Sequence, residues 1–214
     1  YPIAVDAHAL NGGDNSNFNP GFNPPRLQFG EGGVDDAEDA DVIIHEFGHA
    51  IYNSISPNAQ NGNERAAFEE SFGDYLAASH SRKTNPFNWH QIFNWDGHNE
   101  FWPGRIANSN KFYPNDLKNN IYTDGEMFTG ALIEIWEKLG AETTDKLIIE
   151  AVKLIYQSNG TIRIKELNEK LFISQSPFEK RFRKVVGTTA KKFASIVRFN
   201  SVLDNLNNTK TLTE

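Results

Sequence analysis

The chain has 214 residues, 38% of them hydrophobic, and a formal net charge of -7 at pH 7. This length and composition suffice for one well-packed core, or for two small lobes that share a cleft. The acidic balance, with no stripe of Lys and Arg, argues against nucleic acid as a partner. The absence of cysteine excludes disulfides, thiolate metal sites and a Cys nucleophile, so a strong metal site would have to use His and carboxylate ligands.

The apolar runs and the first residue of the sequence indicate whether the chain enters a membrane and whether it has been processed. No apolar run reaches the roughly 18 residues that a membrane span needs, and we expect no membrane insertion. Because the sequence begins at Tyr1 rather than at Met, we expect a processed or excised domain from which the pro-segment is absent. We also expect a monomer.

The first quarter of the chain changes character near Asp35. Residues 1–35 are rich in Gly, Asn and Pro, which predicts short extended pieces joined by turns. After Asp35, acidic residues are followed by an apolar stripe with helical spacing, which predicts a helix that ends before Pro57.

The rest of the chain is predicted to be mostly helical. Five further helices are predicted, and they span Glu64 to about Ser79, Thr123 or Asp124 to Gly140, Thr144 to Gln157, Ile164 to Ile173, and Thr189 to Leu203. The stretch from Asn85 to Pro114 has three Trp residues and no clear period, which predicts a long ordered loop. The fold class is therefore α+β and predominantly helical, as a single domain over 1–214 with a strand-containing part at about 1–55 and a helical part at about 60–214.

His45-Glu46-Phe47-Gly48-His49 forms an H-E-x-x-H pattern inside the predicted helix. Residues four apart lie on one helix face, so both imidazoles can reach one tetrahedral Zn²⁺. Glu46 lies beside them and can accept a proton from a water that zinc activates. The alternative is that the two histidines are ordinary core or surface residues.

A third metal ligand is expected on the next predicted helix. Glu70 and Asp74 are four residues apart there, so one face offers a carboxylate ligand and a second carboxylate one turn later. The second carboxylate suits the N–H of a metal-bound imidazole, which usually donates to such a group. The alternative is that Glu69, Glu70 and Asp74 form a solvated acidic face.

These residues resemble the thermolysin-like and fungalysin-like metallopeptidases, in which H-E-x-x-H is followed about twenty residues later by E-x-x-x-D. The resemblance implies a zincin fold, His45, His49 and Glu70 as zinc ligands, Glu46 as catalytic base and Asp74 as the partner of a ligand. Metzincins would need Gly and His three and six residues after the second His. This chain has Tyr52 and Ile55 at those positions.

The resemblance extends to Asp14-Asn15-Ser16-Asn17-Phe18, which is similar to the edge strand of those families. There an extended substrate adds to the sheet as another strand, which implies substrate binding by Asn15 and Ser16. The alternative is that this segment is a turn.

A further similarity opens the third predicted helix at Ile121. The segment resembles the fungalysin-like V-H-x-x-G-E pattern, with Tyr122 in place of the His that steadies the oxyanion. A phenol can also donate a hydrogen bond, so the resemblance implies that role for Tyr122. The alternatives are that Tyr122 only packs at the helix start and that His98 or Arg105 holds the developing charge.

Calcium is a second possible cofactor. Asp41 matches an Asp that thermolysin-like enzymes use for calcium, but Ser81 stands where that family supplies another carboxylate. Asp41 can equally favour the N-terminal half of a helix. His8, His80, His90 and His98 have no partner spacing and are expected to be structural.

Taken with the resemblance, these residues predict a zinc metalloendopeptidase that hydrolyses peptide bonds in a peptide or protein substrate. Secretion is implied by the resemblance alone. The alternative is a non-catalytic binding module that keeps a zincin fold. The absence of His at position 122 supports this alternative, and the presence of Glu46 argues against it.

Overall fold

A computed structural model describes residues 2–55, 62–172 and 174 of the chain, with residues 191, 194, 195 and 198. The described residues form an α+β structure in which helices predominate, as the sequence predicts. The chain divides after Ala141 into two compact units. That residues 1–214 act as one catalytic domain stays a prediction. None of the described helices is long and apolar enough to cross a membrane.

The first unit opens with a small sheet. Its strands are β1 (Ala4–Asp6), β2 (Ser16–Asn19) and β3 (Arg26–Phe29). The order is β1-β3-β2, with β1 parallel and β2 antiparallel to the central β3. Ser16 pairs with Phe29 and Asn19 with Arg26. Strand β2 is therefore an edge of this sheet, and the alternative that its residues form a turn is wrong.

The first helix starts later than the acidic segment suggests. Residues Asp36–Glu38 form a 3-10 turn, and α1 then spans Ala40–Ile55. The backbone at Asp39 is extended, with φ -94° and ψ 115°. Its side chain accepts from the N–H of Asp41 at 2.7 Å, so Asp39 supplies an acceptor that the first turn of α1 lacks. Residues 35–39 of the acidic segment therefore precede helix α1 and do not form part of it.

Helix α2 spans Asn63–Thr84 and lies between α1 and a third helix, α3 (Ile121–Leu139). Its central position explains its composition, because a helix with neighbours on two sides cannot confine its buried residues to one stripe. Phe72 and Tyr75 are fully buried. The buried side of α2 also carries Glu69 and Asp74, and buried carboxylates require partners.

Helix α3 spans Ile121–Leu139. Its N-cap is Asn120, whose side-chain oxygen accepts from the N–H groups of Tyr122 and Thr123. The prediction of a cap at Thr123 or Asp124 is wrong, because Asn120 already satisfies these N–H groups one turn earlier. The helix ends before Gly140, whose φ of 81° suits glycine.

The loop between α2 and α3 is ordered by a short hairpin. Strands β4 (Gln91–Ile92) and β5 (Arg105–Ile106) pair antiparallel within the Trp-rich stretch that the sequence predicts to be a loop. Ile92 and Ala107 are fully buried. The hairpin contacts α2 through β4 and α3 through β5, which fixes the position of Arg105.

The second unit contains α4 (Ala141–Gln157) and α5 (Ile164–Lys170). Helix α4 begins three residues before the predicted Thr144, and α5 ends three residues before the predicted Ile173. Glu142 and Lys146 on α4 form an ion pair one turn apart, as Glu166 and Lys170 do on α5. The helix predicted from Thr189 to Leu203 lies outside the continuously described residues.

Candidate metal centre

Two imidazoles of α1 face the same point. His45 and His49 are one helical turn apart, and their Nε2 atoms are 3.0 Å from each other. The side chain of His45 is 5% exposed and that of His49 is 15% exposed. Helical spacing alone brings the two rings to one face.

Helix α2 supplies the third group. Glu70 places one carboxylate oxygen 3.4 Å from Nε2 of His45 and the other 3.7 Å from Nε2 of His49. Two ligand atoms held about 2.1 Å from a tetrahedral metal are about 3.4 Å apart. The observed separations therefore match a single metal ion with His45, His49 and Glu70 as protein ligands.

Each imidazole has a carboxylate partner on its other ring nitrogen. Nδ1 of His45 is 2.9 Å from Oδ1 of Asp74, and Nδ1 of His49 is 3.2 Å from Oε1 of Glu69. These partners favour an N–H at Nδ1, which leaves Nε2 of each ring with the lone pair that a metal needs. Glu69 was missed as a partner because the sequence offers it only as a neighbour of Glu70.

The charges of this group favour a cation. Burial opposes the charged form of His45, but the hydrogen bonds to Asp74 and Glu70 outweigh it and raise the pKa of His45 to about 9. Burial likewise opposes the ionised form of Glu70, yet His45 and the other nearby cations lower the pKa of Glu70 to about 2. Protons and metal ions compete for such a site, so metal binding would release a proton.

Arg105 from β5 lies behind the two carboxylates. Its guanidinium donates to Oδ1 of Asp74 at 2.7 Å and is 3.7 Å from Oε2 of Glu70. It also lies 4.7 Å from the ring centre of Phe93 and 5.4 Å from that of Tyr122. Arg105 therefore balances the carboxylates and lines the cleft. The sequence names it only as an alternative holder of the developing charge.

Glu46 is next to His45 in sequence, and one of its two carboxylate oxygens accepts a hydrogen bond from the described residues. Its side chain is 5% exposed, and Oε1 accepts from the hydroxyl of Ser16 at 3.1 Å. Among the described residues, Oε2 has no hydrogen-bond partner. A carboxylate with one anchored and one available oxygen suits a group that accepts a proton in a fixed direction.

The site opens into a cleft of about 740 Å³. One wall is the segment from Asp14 to Phe18, which includes the start of edge strand β2. Asn15 is exposed there, and Ser16 is half-buried beside Glu46. An extended peptide could therefore pair with β2 while it crosses the metal centre.

Tyr122 is the second residue of α3. Its side chain is 50% exposed and lines the cleft. Partial burial and the charge of Glu70 raise the pKa of Tyr122 above its ordinary value of 10, so the phenol keeps its proton at neutral pH.

Among the described residues, Asp41 belongs to no group of three or more His or carboxylate side chains that could hold a metal ion. The Ser81 hydroxyl donates to Oδ1 of Asp41, and the N–H of Phe93 donates to Oδ2 at 3.1 Å. Both oxygens thus have protein donors, whereas calcium requires several oxygens directed at the ion. In this chain the Asp41–Ser81 contact joins α1 to α2.

Two of the remaining histidines have partners away from the ligands. His8 is 2.8 Å from Oε1 of Glu31 and is exposed, and His98 is 3.0 Å from the carbonyl oxygen of Ile92. Neither lines the cleft. These contacts agree with structural roles, and they leave Arg105 rather than His98 near the ligands.

Comparisons of the chain with protein-family models, with curated proteins and with solved structures give no match.

Proposed function

We propose that the chain is a zinc-dependent peptidase of the zincin class, with a thermolysin-like arrangement of its catalytic domain. The observation that supports this most is the set of separations, 3.0 to 3.7 Å, among the Nε2 atoms of His45 and His49 and the carboxylate of Glu70. Glu46 lies beside that set, in a cleft bounded by an edge strand.

The donor set supports zinc over calcium or magnesium. Two imidazoles and one carboxylate are typical ligands of catalytic zinc, whereas calcium and magnesium prefer oxygen ligands alone. With three protein ligands, a tetrahedral ion keeps one position for water or substrate. A zinc ion held there would polarise a carbonyl group and lower the pKa of water towards neutrality.

Glu46 is the proton carrier in this proposal. Its free Oε2 would take a proton from the attacking water and later deliver it to the leaving amine, so that the carboxylate is restored after each turnover. Ser16 holds the other oxygen and limits the rotation of the carboxylate. Tyr122 would donate its O–H to the carbonyl oxygen as negative charge develops there.

The substrate in this proposal is an extended peptide. Strand β2 has no strand neighbour on its outer side among the described residues, and its first residue, Ser16, contacts Glu46. A peptide paired with β2 would bring a carbonyl group to the metal centre without any particular side chain being required. Secretion of the protein follows only from the family resemblance and is part of the same proposal.

The proposal is tested by zinc content and proteolysis measured on the same preparation. We expect about one zinc per chain and cleavage of denatured casein. Glu46→Gln should keep the zinc and lose nearly all cleavage, because the amide cannot accept the proton. Zinc without any cleavage by the unsubstituted protein would favour a non-catalytic binding module and contradict the proposal.

The ligand set has its own test. His45→Ala, His49→Ala and Glu70→Ala should each remove stoichiometric zinc, because a site with three protein ligands cannot spare one. Glu64→Gln, a charge-removing change at the exposed start of α2, is the control and should retain zinc. Full occupancy in Glu70→Ala would remove that residue from the ligand set and direct attention to Glu69 or Asp74.

A further inference from the structure

A second cluster of carboxylates lies on the wall of the same cleft and shares no residue with the group of His45, His49 and Glu70. Asp14, Asp36 and Asp96 each offer an oxygen, and these oxygens lie within 4.8 Å of one another. The three residues come from the segment before β2, the 3-10 turn before α1 and the Trp-rich loop. They are far apart in sequence, so the fold alone brings them together.

Two members of this cluster have a buried oxygen that has no hydrogen-bond partner among the described residues. Asp36 is 2% exposed and Asp96 is 4% exposed. Oδ1 of each is buried and accepts no hydrogen bond from any described residue. Trp102 donates its indole N–H to Oδ2 of Asp96 at 2.8 Å, which leaves Oδ1 as the available atom. Buried carboxylate oxygens without donors are costly unless a cation or a proton compensates them.

Other aspartates of the segment 35–41 have donors within the protein. Asp35 accepts from the N–H of Ala37, Asp39 from the N–H groups of Asp41, Trp95 and Asp96, and Asp41 from Ser81 and Phe93. Oδ1 of Asp36 has none among the described residues. Hydrogen bonds within the protein thus account for the carboxylates of these neighbours but not for Oδ1 of Asp36.

We propose that Asp14, Asp36 and Asp96 form a second cation site, which takes Ca²⁺ through their carboxylate oxygens. Calcium–oxygen distances of about 2.3 to 2.6 Å allow two ligand oxygens to stand up to about 5 Å apart, which agrees with the spacing of this cluster. Asp14 is exposed and leaves room for water to complete the coordination shell.

The electrostatics of the cluster agree with a bound cation. Burial, followed by the charges of Asp96 and Asp14, raises the pKa of Asp36 to about 7. Burial and the charges of Asp14 and Asp39 also raise the pKa of Asp96, against the opposing hydrogen bond from Trp102. A divalent ion would offset this repulsion and join three segments that line the cleft, including the one that leads into β2.

Trp102 makes the site directly observable. Tb³⁺ occupies oxygen-ligand sites in place of Ca²⁺, and its emission is sensitised by a nearby indole such as that of Trp102. We expect saturable, Trp-sensitised Tb³⁺ emission that Ca²⁺ displaces, with a Ca²⁺ dissociation constant of roughly 10⁻³ M or tighter. Magnesium displacing Tb³⁺ as strongly as Ca²⁺ would overturn the assignment to calcium.

Variants decide whether these three residues form the site. Asp36→Asn and Asp96→Asn should lose the sensitised emission and the rise in Tm that Ca²⁺ produces. Glu100→Gln, which removes an exposed charge from the same loop, should keep both responses. If a buried variant fails to fold, Asp14→Asn at the exposed position provides the same comparison. Unchanged emission in all three Asn variants would overturn the proposal.

The experiment is separable from the zinc proposal. His45→Ala removes a zinc ligand but lies outside the carboxylate cluster, so it should retain the calcium response whether or not the chain is a peptidase. Loss of the calcium response in His45→Ala, with the fold intact by circular dichroism, would mean that the ion binds at the histidine site and would overturn the second site.

Discussion

Gly73 of α2 faces the imidazole of His45 so closely that a Cβ at position 73 would lie 2.6 Å from Nδ1 of the ring. On the other side of this contact, a Cβ on Gly48 would lie 2.8 Å from the Cα of Gly73. Two glycines thus let α1 and α2 approach at the level of the metal centre. This approach is what brings Glu70 and Asp74 to the histidines.

Gly73→Ala should therefore disturb the metal centre more than the helix. Alanine favours a helix over glycine, so the backbone of α2 should tolerate it, but the methyl group must displace the His45 ring. We expect zinc affinity to fall roughly 10 to 100-fold, as when a partner of a ligand is lost. Competition with a zinc chelator measures this, with circular dichroism as the check on folding. Unchanged affinity would show that the ring can shift without losing the metal.

Glu69 and Asp74 should both affect metal affinity, although neither is a ligand in our assignment. Glu69→Gln and Asp74→Asn weaken the acceptors at Nδ1 of the two imidazoles, and each should lower zinc affinity roughly 10 to 100-fold. Asp74→Asn should be the more damaging change, because Asp74 also binds Arg105 at 2.7 Å. Glu64→Gln on the same helix serves as the control. Equal affinity in all three variants would contradict the role of these carboxylates.

Tyr122→Phe separates oxyanion stabilisation from packing. Removing one such hydrogen-bond donor typically lowers kcat by roughly 10² to 10³ while KM changes little, because the bond forms mainly in the transition state. Zinc content should be unchanged. Tyr113→Phe, which removes a phenol bonded to Glu64 outside the cleft, is the matched control. If Tyr122→Phe keeps the original kcat, another hydrogen-bond donor must stabilise the oxyanion. Arg105, which is 3.7 Å from Glu70, would then be the first candidate.

Tyr122→His gives the reciprocal test, because it restores the residue of the resembling segment. An imidazole at the start of α3 can also donate a hydrogen bond. We therefore expect Tyr122→His to retain activity that Tyr122→Phe loses. Equal loss in both variants would show that the position requires the phenol itself.

Asp41 should make the free energy of unfolding fall as pH rises, because its pKa is raised in the folded protein. Burial raises the pKa of Asp41 in the folded protein to about 6, against the hydrogen bond from Ser81, which lowers it. In the unfolded chain the pKa is near its ordinary value of 3.8. The folded state holds the proton between these two values, so the contribution of Asp41 to the free energy of unfolding is lost as pH rises through that interval.

Asp41→Asn cannot ionise and should not show this loss. The free energy of unfolding of the variant relative to the original protein should rise by about 1 to 3 kcal/mol from pH 4 to about pH 7. Urea unfolding at a series of pH values measures the difference. Ser81→Ala should raise the pKa of Asp41 further, because it removes a hydrogen bond to the ionised form. A difference that does not vary with pH would contradict the assignment.

The sequence by itself determined what depends on positions close together in the chain. The four-residue spacing of His45 and His49 places both rings on one face of a helix, and the same spacing relates Glu70 to Asp74. The spacing of apolar residues, with capping residues, was enough to predict the helices α1 to α5, with errors of up to five residues at their ends. The cap of α3 at Asn120 was missed because several polar residues there could accept the same N–H groups.

Only the tertiary structure decided which of these groups meet. Glu69 and Glu70 are neighbours in sequence, yet Glu69 contacts Nδ1 of His49, whereas Glu70 has one oxygen near the Nε2 atom of each imidazole. Their roles depend on the rotation of α2 against α1, which is set where Gly48 meets Gly73. Asp14, Asp36 and Asp96 carry no common spacing at all. Contacts between distant segments follow from packing of the whole core, and no local pattern of residues encodes them.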